Sequence, residues 1–330
     1  MTPTPLRTTL ALHDGGDLVA AVPNLLGFHP VDSLVLITVV ERRGGGDAAI
    51  GTVIRADIPV PEDYGGMARH LTEITTGHSA SAAFLVLVGG ERLAHKDLVR
   101  RVVVNLEAAS VTVPHALWAP ATVEGQPWWC YADCACTGTV VDPDTSALAV
   151  AMTVAGAVRY PDRQSLADTL TPDPRVDLAR RAALIRSATT PPDPSLIDET
   201  ISEMFAAGAS DPPAPEPELD DDLVAGLAIA LSDADIRGHC LTIALTERAG
   251  VAERLWTRLV RMLPDPHRSV PACLLAVHAY LRGDGALAQM ALELANAADA
   301  DNNLAALMRA CLERALPPDE FRDMITRSIG

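Results

Sequence analysis

Near Val141 the apolar residues of this chain change their spacing, and that change limits the available folds more than any motif does. Before it, short β-branched runs alternate with amphipathic stretches and Gly-rich breaks. After it, apolar residues recur every three or four positions almost to the end. A period of two sends alternate side chains to opposite faces of a strand, whereas 3.6 lays a stripe along a helix. The pattern predicts an N-terminal sheet with helices against it, of α+β or α/β class, followed by an all-α region.

The N-terminal part begins with a helix that Asp17 can cap, carrying Leu18, Val22 and Leu25 on one face. Pro23 is expected to kink it, and Gly27 suits the left-handed position after its last turn. Residues 33–40 and 49–58 read as a strand pair joined by a Gly-rich turn at 42–47. A helix at 67–75 precedes a continuous apolar strand at 82–88, closed by Gly89-Gly90 and followed by a helix at 93–109. Two more strands are expected at 110–118 and 122–131. A helix from Asp144 or Thr145 to 158 opens the second part. Further helices follow at 177–187, 195–207, 222–232, 236–248, 251–263, 270–281, 286–297, 304–316 and 318–327.

The division this gives is an α/β domain at 1–141, a helical connecting segment at 142–210, an acidic Pro-rich linker at 211–222 and a helical hairpin domain at 223–330. The last hundred residues fit a tetratricopeptide-like stack of helix pairs or a plain helical bundle. With 330 residues, 48% of them apolar, the chain has ample material for a packed core.

Charge and thiols narrow the partners. A net charge of −17 would repel a phosphate backbone, so nucleic acid is not expected. The longest weakly polar run, 146–158, is too short to span a bilayer, and residues 1–17 hold no apolar core of leader length. Six cysteines in such a chain read as reduced thiols, and a cytoplasmic location is expected. Cys240, Cys273 and Cys311 fall on apolar helical faces and read as core residues.

Two clusters carry the candidate chemistry. The first is Gly27, Phe28, His29, Pro30, Asp32 and Ser33. An imidazole can move protons near neutral pH, and a hydroxyl needs such a base to act as a nucleophile. A structural reading covers the same residues: Gly27 ends a helix, Pro30 stiffens a turn, and Asp32 or Ser33 ties its side chain to nearby backbone. The second is Cys130, Cys134 and Cys136, three thiols that could hold zinc with Asp133 or a distant His as the fourth ligand. Their C-x₃-C-x-C spacing lacks a second Cys pair, and buried structural thiols are the plainer reading. No cofactor is otherwise expected. Arg55 and Asp57 share one strand face and can pair. Trp128 and Trp129, with Trp118 nearby, are expected to anchor the end of the sheet. Gly44, Gly45 and Gly46, like Gly89-Gly90, lack the Lys-Ser/Thr spacing of a phosphate loop.

The segment Val22-Pro-Asn-Leu-Leu-Gly-Phe-His-Pro-Val-Asp-Ser-Leu-Val-Leu36 resembles the signature of an actinobacterial family, domain of unknown function 4192. That family shows Pro-x-x-Leu-Gly-Phe-x-Pro-x-Asp-Ser-Leu-Val near its start. Trp128-Trp129-Cys130-Tyr131 with Cys134-Ala-Cys136, Gly283-Asp284-Gly285 and Leu316-Pro317-Pro318 are similar to its later features. The family's Pro-Gly after the Cys loop is replaced here by Thr137-Gly138. The resemblance spans nearly the whole chain and implies a shared fold and lineage, but no activity.

No catalytic motif of high specificity is present, so the expectation leans away from an enzyme. It favours an interaction or assembly protein, with a protein partner or self-association. The alternative is a small-ligand-binding protein or hydrolase-type enzyme with its site near Gly27 to Ser33.

Overall fold

The computed structural model describes residues 14–41, 48–132, 136–154, 158–210, 212, 214–314 and 316–329. The turn expected at 42–47, most of the N-terminal stretch, Asp133, Cys134 and parts of 146–158 and 211–222 lie outside the described residues. Two compact units divide between Leu166 and Ala167.

The first unit runs α1 (Gly15–Leu26), β1 (Ser33–Glu41), β2 (Ala48–Asp57), α2 (Tyr64–Gly77), β3 (Ala82–Val88), α3 (Lys96–Ala108), β4 (Ala116–Ala119), β5 (Pro127–Cys130), β6 (Thr137–Thr139) and α4 (Ala147–Val154). The strands form a mixed sheet in the order β2-β1-β3-β4-β5-β6. Only β3 and β4 pair in parallel; every other neighbouring pair is antiparallel. Both sheet faces are covered, as the continuous apolar strands require. Leu34, Leu36, Leu85, Leu87 and Trp118 meet Leu71 of α2 and Leu98, Val102 and Leu106 of α3 in one cluster. The alternate residues Val35, Val86 and Leu117 are also buried and belong to the opposite face. There α1 lies against β4, β5 and β6. Glycines make that approach possible: a methyl on Gly15 of α1 would lie 2.8 Å from the Trp128 ring, and one on Gly138 of β6 would lie 2.9 Å from Trp128 Nε1.

Several boundaries differ from expectation, each for a local reason. Asp14, not Asp17, caps α1, accepting from Gly16 N at 2.6 Å and Asp17 N at 3.1 Å. Asp17 lies in the first turn, where its charge favours the positive helix end. Pro23 sits inside α1 without ending it. The strand expected at 110–118 shrinks to Ala116–Ala119, because Pro114 has no N–H to give a ladder. Before it only an isolated bridge joins Thr112 to Ala82. The strand expected at 122–131 starts at Pro127, after Gly125 turns the chain at φ 78°.

The second unit is helical: α5 (Arg163–Asp168) reaches its start, and α6 (Leu178–Ser187), α7 (Ser195–Ala209), α8 (Asp221–Ala230), α9 (Ala234–Ile243), α10 (Ala249–Met262), α11 (Ser269–Arg282), α12 (Gly285–Ala298), α13 (Asn303–Glu313) and α14 (Pro318–Ile329) follow. Side-chain caps recur: Asp177, Asp220, Asp233, Asp284 and Asn302 each accept a backbone N–H in the first turn of their helix. α11 is buried nearly all round, and α9, α10, α12, α13 and α14 touch it. The acidic stretch before α8 has no regular structure but is fastened down. Glu216 pairs with Arg254 at 2.7 Å and Arg258 at 3.3 Å, and Leu219 is buried. Arg181, itself buried, donates to Asp221 at 2.8 Å and to the Met262 carbonyl at 2.9 Å. Among the described residues no helix is long and apolar enough to cross a membrane.

Candidate functional site

The loop 27–33 enters the sheet where β3 and β4 end. Gly27 stops α1 in the left-handed region at φ 78°, with its N–H on the Pro23 carbonyl. Phe28 is buried and bridges to Tyr160, whose N–H reaches the Gly27 carbonyl at 2.7 Å. His29 is half-buried and shares a 2.9 Å hydrogen bond between Nδ1 and Thr122 Oγ1. Burial, and then the nearby Arg159 guanidinium, hold its pKa below the usual histidine value, with Asp144 opposing. Arg159 donates to Asn24 Oδ1 at 3.1 Å and pairs with Asp144. His29 therefore stands as a neutral imidazole in a polar surround.

Asp32 and Ser33 behave differently. Asp32 is exposed and takes φ 44°, a backbone that L residues rarely adopt. It lies over Gly89, where an added methyl would meet Asp32 N at 2.8 Å; glycine is needed there. Ser33 is fully buried; its hydroxyl donates to the Val31 carbonyl at 2.7 Å and accepts from Arg55 Nε at 2.9 Å. Arg55 also pairs with Asp57 at 2.5 Å, so the pair expected on β2 helps hold the loop. Engaged on both sides, the Ser33 hydroxyl is poorly set to attack a substrate.

A second set of residues flanks the same end of the sheet, and of these the sequence reading missed Tyr64, Arg92, Leu93 and His95. After β3 the chain passes through Gly89 at φ 94°, Gly90 at φ 65°, Leu93 at φ 52° and His95 at φ 58° before α3 starts. Neither leucine nor histidine announces a left-handed backbone, although Gly89-Gly90 did mark the bend. His95 Nδ1 shares a 2.6 Å hydrogen bond with Tyr64 Oη. Tyr131 Oη donates to the Ala94 carbonyl at 2.5 Å, and burial raises its pKa. Trp118 Nε1 donates to the Gly89 carbonyl at 2.8 Å. Arg92 stacks 4.4 Å over Trp129, whose ring lies 5.5 Å from that of Trp118. The tryptophans thus anchor this end of the sheet, with Trp129 also offering a face to a cation.

The cysteine cluster lies beside β5 and β6. Cys130 is buried, with Sγ 3.9 Å from His115 Nδ1, and Cys136 is half-buried. Cys134 falls outside the described residues. Among those described, no group of three or more His, Cys, Asp or Glu side chains is placed to hold a metal. Cys240, Cys273 and Cys311 are buried in the helical unit, and burial pushes the first two thiols up to about 12.

A family model described as a domain of unknown function, DUF4192, matches residues 16–319. Neither a curated protein nor a solved structure matches the chain.

Proposed function

We infer that this chain, which belongs to the DUF4192 family, binds a small polar ligand at the sheet edge where β3 and β4 end. One observation carries the reading. Five left-handed residues, Asp32, Gly89, Gly90, Leu93 and His95, gather there, three of them non-glycine. At the three non-glycine residues such backbone costs on the order of 1–3 kcal/mol each, and strain of this kind collects where geometry serves binding or chemistry; the two glycines adopt it freely. The side chains it positions suit a polar ligand. His29 and His95 each use Nδ1 within the protein, Asp32 is exposed, and Arg92 lies over the Trp129 ring. Carboxyl ends of strands are also where α/β sheets commonly seat ligands.

A thermal-shift screen of the full chain with nucleotides, amino acids and dicarboxylates tests this. At least one compound should raise Tm by several degrees, and His29→Ala and His95→Ala should each abolish the shift. Silence across the panel, or a shift that survives both substitutions, removes the reading.

An interaction or assembly role is the second reading, and the helical unit supports it. A cleft of about 350 Å³ runs between α12 and α13, lined by Gln289, Leu292, Glu293, Asn296, Arg309 and Leu312. Leu307 on α13 is 50% exposed. The tetratricopeptide-like reading of this region draws on the α11–α12 pair, two long helices turned back at Gly283 and Asp284. The return of α14 onto α9 and α11 favours a closed bundle instead, since stacked repeats touch only their neighbours. Light scattering of the full chain tests self-association; a monomer at every concentration counts against it.

A further inference from the structure

We propose that Cys130 and Cys136 are a peroxide-sensing thiol pair that closes to a disulfide across the β5–β6 hairpin, with His115 as the base. The strand register places them together. Trp128 faces Gly138 and Trp129 faces Thr137, so Cys130 faces Cys136, and its N–H meets the Cys136 carbonyl at 3.0 Å. Directly opposed residues of antiparallel strands point to the same sheet face. A hydrogen-bonded pair of this kind has Cα atoms about 5.5 Å apart, inside the roughly 4.4–6.8 Å that a disulfide spans.

The two thiols have different surroundings, and the difference assigns their roles. Cys136 is half-buried, so a small oxidant can reach it more easily than Cys130, which is 6% exposed with its sulfur 3.9 Å from Nδ1 of the exposed His115. Hydrogen peroxide meets Cys136 first. The Cys136 thiolate attacks one peroxide oxygen, the O–O bond breaks, and water leaves after protonation, giving a sulfenic acid. The Cys130 thiol then gives its proton to His115 Nδ1 and attacks the Cys136 sulfur. The S–S bond forms as the S–O bond breaks, and the departing hydroxide takes up a proton as a second water. Two thiols lose two electrons and two protons, and one peroxide is reduced to two waters.

Peptide mapping of the full chain after treatment with excess hydrogen peroxide tests the proposal. The Cys130 and Cys136 peptides should join with the loss of two hydrogen masses, and should do so equally in Cys134→Ser. The more deeply buried Cys240 and Cys273 should stay reduced as internal controls. In His115→Gln closure should slow by at least about tenfold, and the sulfenic acid should become trappable by a dimedone-type nucleophile. Bridging through Cys134, both thiols remaining reduced, or stoichiometric zinc that blocks oxidation would each overturn it.

Discussion

His278 and His95 carry the same ring, yet the two units use it in opposite ways. His278 lies deep in the helical unit, 3% exposed, with both nitrogens engaged. Trp256 Nε1 donates to its Nε2 at 3.1 Å, so Nδ1 carries the proton and donates to the Ala249 carbonyl at 3.2 Å. His95 is half-buried on a left-handed turn and uses Nδ1 on Tyr64, with no other side-chain hydrogen bond among the described residues. The contrast extends to the surrounding groups. The helical unit caps its helices repeatedly and buries Arg181 against Asp221, so its polar groups serve stability. Among the described residues the sheet unit places three of its five left-handed non-glycine residues, Asp32, Leu93 and His95, with partly open polar groups where β3 and β4 end; Ser79 and Ser110 lie at the strands' other end. Difficult groups that are fully satisfied mark a scaffold; the same groups left half-open mark a place for an outside molecule.

The largest test of this contrast is Arg181→Ala. It strips Asp221, which keeps Arg180 at 3.1 Å, and the Met262 carbonyl of a buried donor; the two lost hydrogen bonds should together lower stability by about 4 kcal/mol in urea unfolding. Ligand-induced shifts in the sheet unit should persist at temperatures where the protein is folded. A loss under about 1 kcal/mol would mean that the pair is not a structural support.

Acid titration follows in size. Burial lowers the His278 pKa from 6.5 to about 4. Between those values the unfolded chain holds more protons than the folded one, so stability falls as pH falls from about 6.5 towards about 4 and levels off below. The total loss from this group should be about 3 kcal/mol. His278→Gln should flatten this part of the profile. An unchanged slope in that variant would assign the acid sensitivity elsewhere.

The smallest expected change is the most informative about the sheet edge. Asp32→Gly relieves a φ of 44° at an exposed position. Stability should stay level or rise by up to about 1 kcal/mol, while any ligand-induced Tm shift should vanish. A clear destabilisation would turn Asp32 into a structural residue and weaken the contrast.

The parts of this arrangement that were visible in the sequence are those written in local pattern. The continuous apolar run at β3 and the glycines closing it were read correctly because burial on both sheet faces leaves no alternation to misread. Gly27 could be read as a helix end because its conformation favours its residue type. β6 was missed: Thr137-Gly138-Thr139 is too short for a period, and it exists because β5 offers an edge and Trp128 needs the space over Gly138. The loop 27–33 was noticed, but half of the edge was not. Tyr64 lies about thirty positions before the stretch that holds Arg92 and His95, and the right-to-left backbone change at Leu93 and His95 brings imidazole and phenol together. That change belongs to tertiary packing and leaves no mark in residue type. The acidic stretch before α8 reads as a linker because its partners, Arg254 and Arg258, lie some forty positions downstream.

The stitch that ties the end of α1 to Tyr160 also sets a timetable. Asn24 and Arg159, which meet there, stand 135 positions apart. A ribosome adding roughly 5–20 residues each second needs on the order of ten seconds to cover that interval. During it the loop bearing His29 can meet Arg55, Gly89 and Thr122 but lacks the Arg159 and Tyr160 contacts that finish its closure. β1, β2 and β3 can pair in the meantime, so the framework sets early and the edge with the proposed chemistry is finished last. Newly made chains would therefore be built before they are able to bind.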